Sequence, residues 1–396
     1  MKRLAAFQMA LALMAIAVLR VHASVANRQY RDADGHFSRW YNMYKDRSAD
    51  ALRANITDRT MVVFGSSEFG HLKGSRYHVA NMFSPADMDM EIIAQPGEQC
   101  LYHAIALGAL APEMKRKQAV LMISPTWFRG KGVKKEAFQL RFSDSLYIDF
   151  LKNPAVSGSV KKKAAKRCEK LLAGDKETLT RARIYRKAYL DQDAGAQAAA
   201  RVAGFFARDQ ENASMGFSWK WYQFRNKDRK RPSPMSAGEL ARMDWKAMRR
   251  EAAESAEGKA NNPIYASDRA WKRGLRSRYE DGPGRHARDS MVTSREYGDL
   301  RLFLQICREE GIRVKLIVQP VNGYWYDYCG LTKDERDGFH RKIARVARQY
   351  GAEIKDLTAY DYKPYVLTDA VHPWKEGWLL LDEGIYDFYK NEETVL

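Results

Sequence analysis

Residues 60–71 read TMVVFGSSEFGH. Thr60 to Phe64 are apolar or β-branched, the composition of a short strand buried on both faces. Gly65-Ser66-Ser67-Glu68 then ends that strand. A glycine ahead of a serine permits a tight turn from strand into helix and exposes a hydroxyl. Backbone N–H groups of a helix starting there would converge on the same point, a setting suited to an oxyanion. Serines in such turns also cap helices or line anion-binding nests, so this stretch alone leaves a structural and a catalytic reading open. A base elsewhere in the chain would decide between them.

Further along, DMEIIA (89–94), AVLMIS (119–124), RVKLIV (313–318) and AEIKDL (352–357) have strand length and strand composition. Helical patterns separate them. One runs from about Gln99 to Leu110. A second has apolar residues at Leu300, Leu302, Phe303 and Ile306 and is stopped by Gly311. A basic one, about Asp334 to Tyr350, is stopped by Gly351, and WLLLDEGIYDFYKN is the last. Strands alternating with helices predict a three-layer α/β/α domain over residues 24–396, with a central parallel sheet of about five strands. Between about 130 and 290 the pattern turns charged and helical, which predicts a largely helical insertion.

In a parallel sheet, functional loops lie at the carboxyl ends of the strands. TDAVHPWKEGW (368–378) puts Asp369 three residues before His372, beyond the last strand and ahead of the last helix. From such a loop the carboxylate can hold one imidazole nitrogen while the other faces a serine. The alternative is a histidine packed against Trp374 and Trp378.

Composition bounds the partners. The 396 residues are 45% hydrophobic and 12% aromatic, which excludes a disordered chain. A net charge of +18 favours polyanions: nucleic acid, anionic lipid or wall polymer. At the N-terminus, Lys2 and Arg3 precede LAAFQMALALMAIAVL (4–19), apolar apart from Gln8 and closed by Arg20. A basic start and a short apolar run predict an exported chain, with no nucleic-acid partner. The run is shorter than the ~20 residues that span a bilayer squarely, and VHA (21–23) offers small residues for cleavage. A cleaved signal over 1–23 and a retained anchor therefore both stand. Four cysteines fit no metal-ligand spacing, leaving buried thiols or one or two bridges. No metal or cofactor is expected. RNKDRKRPSP (225–234) is a basic loop that would face either an anionic polymer or a membrane surface.

Taken in order, FGSSEF, AQPGEQCLYHA, ISPTWF, QPVNGYWYDYCG and DAVHPWKEGW resemble the DltD family of D-alanyl–lipoteichoic acid biosynthesis, within the SGNH/GDSL hydrolase superfamily. These motifs frame residues 65–378. The resemblance implies Ser67 as nucleophile, because the superfamily's serine lies two residues after its glycine; Ser66 stands where the superfamily has an aspartate. It implies His372 as base, Asp369 as its orienting acid and Gly97 as an oxyanion donor; Asn322 would be a side-chain donor or a turn residue before Gly323. Trp325 and Tyr326 are candidate walls of a substrate pocket or aromatics that close a core, and Glu68 belongs to the motif, its alternative being an anion in the first turn of a helix. The implied activity is D-alanylation of teichoic acid at the outer face of the cell membrane, beside a membrane O-acyltransferase and a D-alanyl carrier system. Transfer to an anionic wall polymer and hydrolysis both remain open. So do a non-catalytic scaffold and an O-acyl esterase acting on another glycan.

Overall fold

The computed structural model describes residues 2–26 and 36–391. Residues 27–35, part of the polar lead-in, lie outside the described residues. The apolar runs become five strands: β1 (Met61–Gly65), β2 (Met90–Ala94), β3 (Gln118–Ile123), β4 (Arg313–Val318) and β5 (Glu353–Asp356). Their spatial order is β2-β1-β3-β4-β5, and every pairing is parallel. Gly65 lies opposite Ala94, and Phe64 opposite Leu121. The chain leaves β1 to one side for β2 and returns past it for β3. The loop after β1 therefore sits at the switch point where a parallel sheet opens a crevice.

Side chains alternate across the sheet with period two. Val62, Phe64, Ala119, Leu121, Ile123 and Leu316 pack under the helices Cys100–Leu110, Glu296–Glu309 and Lys333–Tyr350. Met61, Val63, Ile92, Val120, Met122 and Ile317 face the other way, against Lys375–Lys390. This is the three-layer α/β/α arrangement that the alternation predicts. Gly351, at φ +69, ends the basic helix in the left-handed conformation that a glycine adopts without steric cost. β2 and β5 are the edge strands, and Glu353 and Lys355 on β5 blunt further pairing.

Between β3 and β4 the described chain forms helices and turns and no strand. The longest helix, Ala194–Asn226, has 33 residues. Gly204 lets it approach closely, since a Cβ there would meet Ile148 Cδ1 at 2.8 Å. Buried Glu211 on its inner face accepts the N–H groups of Asp144 and Ser145, capping the Asp144–Lys152 helix.

At the N-terminus a helix runs from Lys2 to Ala26, past the Arg20 that closes the apolar run in sequence. Arg3–Ser24 is long and apolar enough to cross a membrane, and none of it is buried. Continuing the helix through Val21–Ser24 supplies the length that residues 4–19 lack.

Candidate active site

Strand β1 delivers two serines to the carboxyl edge of the sheet, and their surroundings separate them. Ser66 is buried, its hydroxyl donates to Gln95 O at 3.0 Å, and its N–H donates to Glu68 Oε1 at 2.8 Å. Ser67 is partly exposed and opens a 3-10 turn, Ser67–Gly70. The expected α-helix does not form here. Glu68 and Phe69 both turn inward, at 2% and 1% exposure, and Gly70 and Gly74 follow before another turn of helix can close. Gly65 is required at the bend, because a Cβ there would lie 2.3 Å from the Phe69 ring. Glu68 thus braces the turn from beneath and does not face the crevice. Burial pushes its carboxyl above its ordinary value.

Across the crevice, Ser67 Oγ lies 2.9 Å from His372 Nε2. His372 Nδ1 lies 2.8 Å and 3.0 Å from the two oxygens of Asp369. Asp369 Oδ1 also accepts the backbone N–H groups of Val371 and His372, each at 2.9 Å. Burial opposes charge on this carboxyl, but the bonds from His372 and the two N–H groups outweigh it, so it sits below its ordinary value. An ionised Asp369 makes Nδ1 the donor and leaves Nε2 to accept from the Ser67 hydroxyl. The loop is tied from several sides. Thr368 N–H donates to His372 O, and Thr368 O accepts from the N–H and hydroxyl of Ser267.

Gly97 lies in the turn after β2, at φ +88, with Glu98 N–H closing the turn onto Gln95 O. Neither Ser67 N–H nor Gly97 N–H has a hydrogen-bond acceptor among the described residues. Asn322 is placed differently from the expectation of an oxyanion donor. Its Oδ1 caps the Gly323–Tyr328 helix by accepting Trp325 N–H at 3.0 Å, and its Nδ2 donates to Ile264 O at 2.7 Å. Its backbone N–H holds Ala370 O, within the loop that carries Asp369 and His372. Trp325 and Tyr326 are buried in the core cluster, at 7% and 3% exposure. A cavity of about 850 Å³ beside His372 is lined by His71, Trp374, the Thr368–His372 loop, Arg269, Arg273 and Arg278, and not by Ser67.

His71 closes TMVVFGSSEFGH, yet its position follows only from the fold. Its ring stacks on that of His372, with centroids 3.6 Å apart and planes 10° apart. Burial, aided by the neighbouring His372, pushes it down to about 4. His71 is therefore neutral at neutral pH. His71, Asp369 and His372 also offer ligand atoms within 4.8 Å of one another. Holding a cation there would take His372 or Asp369 away from the bonds just described.

A family model described as DltD protein matches residues 38–390, a span that contains all five strands and both site loops. The chain belongs to the DltD family. Protein DltD of Bacillus subtilis (strain 168) is 24% identical over 330 residues, covering 83% of this chain and 82% of that protein. Protein DltD of Staphylococcus aureus (strain NCTC 8325 / PS 47) is 26% identical over 342 residues, covering 83% and 81%. Protein DltD of Lacticaseibacillus rhamnosus is 23% identical over 337 residues, covering 83% and 77%. The family match thus begins beyond the N-terminal helix and ends within the last one.

Behind the serine turn of this DltD family member, a buried histidine makes a pH prediction. His78 Nδ1 accepts Ala80 N–H at 3.1 Å, so Nε2 carries the proton that it shares with Phe69 O. The ring packs 4.2 Å from Trp378, and burial pushes His78 down to about 4. An unfolded histidine takes its proton near 6.5. The unfolded chain therefore binds more protons than the folded one between those values, and His78 contributes stability that is lost as pH falls from about 6.5 to about 4. Buried carboxyls that titrate in the same window act with the opposite sign. The clean measurement is the difference between wild type and His78→Gln in urea midpoint against pH. That difference shrinks on acidification, and a constant difference would contradict the assignment.

Proposed function

We propose that this protein is a serine-dependent acyltransferase of teichoic acid D-alanylation, held on the extracytoplasmic face of the membrane by its Lys2–Ala26 helix. The observation that carries the proposal is the 2.9 Å approach of Ser67 Oγ to His372 Nε2, with Asp369 on the other ring nitrogen. Ser67 Oγ attacks the carbonyl carbon of a D-alanyl ester or thioester while its proton passes to His372 Nε2. The N–H groups of Ser67 and Gly97 are candidates to hold the oxyanion. The bond from carbonyl carbon to donor sulfur or oxygen then breaks, and the leaving group takes the proton from His372. In the second half, His372 removes the proton of a polymer hydroxyl, which attacks the D-alanyl-Ser67 ester. The D-alanyl group is now on the polymer, and Ser67 Oγ regains a proton. Water in place of the polymer gives hydrolysis by the same steps. A membrane O-acyltransferase and a D-alanyl carrier system are the partners of this route.

Replacing Ser67 with alanine tests the assignment. D-alanine incorporation should be lost while binding of the acyltransferase and carrier is retained. Normal incorporation in Ser67→Ala would leave only a scaffold role.

The cavity beside His372 also supports an anionic acceptor. Arg269, Arg273 and Arg278 are exposed and line it, and none of them has an ion pair among the described residues, whereas neighbouring Arg276 is paired with Glu280. Changing all three to glutamine should raise KM for the polymer roughly tenfold at low salt, since exposed charge pairs contribute about 0.2–1 kcal/mol each. The turnover number should change little. High salt should erase the difference, because exposed charges are screened within about 8 Å at physiological ionic strength. An equal drop in kcat would place these arginines in the chemistry and not in polymer binding.

A further inference from the structure

The Ala194–Asn226 helix turns large apolar side chains to solvent. It is held to the protein by Ala200, Gly204, Glu211, Asn212, Met215 and Gly216. On its other side Val202, Phe206, Phe217, Trp221 and Phe224 are 53–73% exposed. At 3.6 residues per turn these five fall within about 100° of one another, in a stripe about 33 Å long. Asp209, Gln210 and Lys220 interrupt the same arc, so the stripe is two exposed apolar groups, Val202 with Phe206 and Phe217 with Trp221 and Phe224.

Phe217 and Trp221 also wall a cavity of about 630 Å³ with Tyr41, Lys73 and Gly74, and two neighbouring features bear on what covers this face. The end of the helix and the loop that continues it carry Arg225, Lys227, Arg229, Lys230 and Arg231, all exposed, against the single acid Asp228. None of the five has a carboxylate partner among the described residues, and Arg225 lies over the Trp221 ring at 5.8 Å. The membrane-length Lys2–Ala26 helix packs on the flank of the same stripe. His22 Nδ1 lies 2.6 Å from Asp209 Oδ1, and the His22 ring lies 4.6 Å from that of Phe205. Aromatic rings beside clustered lysine and arginine are the composition of a helix lying in a membrane interface.

We infer that the outer face of the Ala194–Asn226 helix lies in the headgroup region of an anionic bilayer. The aromatic rings enter the boundary of the acyl chains, and the basic loop meets lipid phosphates. The inference rests on the anchor reading of Lys2–Ala26, which brings this face to the bilayer. It also bears on the site, because the basic loop reaches the segment that follows the serine turn: a Cβ on Gly74 would lie 3.2 Å from Arg229 Nη2. Lipid docking would then fix the height and orientation of the serine turn and the His372 loop above the membrane.

Among nine tryptophans, Trp221 is the one more than half exposed, so it can report its own depth. The full chain is reconstituted in vesicles of phosphatidylcholine with or without phosphatidylglycerol, part of the lipid carrying brominated acyl chains, and flotation measures anchoring. Bromolipid should quench a fluorescence component that is absent from Trp221→Phe, and more strongly with phosphatidylglycerol present. Changing the five basic residues to glutamine should abolish that dependence on lipid charge while flotation persists. If the chain floats but wild type and Trp221→Phe are quenched alike, the stripe is not in the bilayer and the inference falls, with the anchor intact. The same holds if Trp221→Ser releases a membrane protein that otherwise co-purifies, which would make the stripe a protein interface. Failure to float would overturn the anchor reading and the inference together.

Discussion

Replacing His372 with alanine lowers D-alanyl turnover by on the order of 10⁴-fold or more, because serine, histidine and aspartate act as a unit in such sites. The size of the loss follows from the geometry. Without Nε2 at 2.9 Å, the Ser67 hydroxyl has no acceptor for its proton and the leaving group has no donor. Asp369→Asn provides a finer test. The asparagine oxygen can still accept the N–H groups of Val371 and His372, so the loop keeps its shape. Orientation and charge at Nδ1 are lost, and turnover falls on the order of 10³- to 10⁴-fold. In the Ser67→Ala/His372→Ala double variant the loss should be no greater than in either single one. Additive losses would mean that the two residues work on separate steps.

Replacing Lys45 with methionine should destabilise the protein by roughly 3–5 kcal/mol, the cost of stranding a buried charge partner. Lys45 is fully buried behind β2, with Nζ 2.6 Å from Glu91 Oε1, 3.4 Å from Asp46 Oδ1 and 3.0 Å from Ser38 O, and it also donates to Ile92 O. The three N–H groups of one ammonium therefore serve Glu91 and two carbonyls, with Asp46 as a further ion pair, and join the lead-in segment to the sheet. Urea denaturation reads the loss directly. Lys45→Met/Glu91→Leu should recover a substantial part of it, since the second change removes the orphaned acid. If the double variant is as unstable as the single one, the carbonyls and not the ion pair are what Lys45 supports.

The centre of the sheet was legible in the sequence because β1 to β3 are buried on both faces, so Met61–Gly65 and Gln118–Ile123 appear as unbroken apolar runs. The Asp369–His372 pairing was legible because it is local, three residues within one loop. Features that depend on distant packing were not. Nothing near His71 in sequence indicates that it will stack on a ring 301 positions away. The polar side chain of Asn322 and the aromatic rings of Trp325 and Tyr326 suggested contact with substrate. The fold uses the first as a helix cap and a tether, and places the other two in the core. The Val202–Phe224 stripe has helical spacing, but spacing alone does not say which face turns inward. That was decided by Gly204 and Met215 meeting the body of the protein.

The central claim is a covalent D-alanyl ester on Ser67. Brief exposure of the full-length protein to a D-alanyl thioester, acid quench and peptide mass spectrometry measures it. The account predicts a mass increase of one alanyl group on the peptide containing Ser67, absent from Ser67→Ala and strongly reduced in His372→Ala. An adduct that persists in Ser67→Ala, or full turnover with no adduct on Ser67 at any time after mixing, would contradict it.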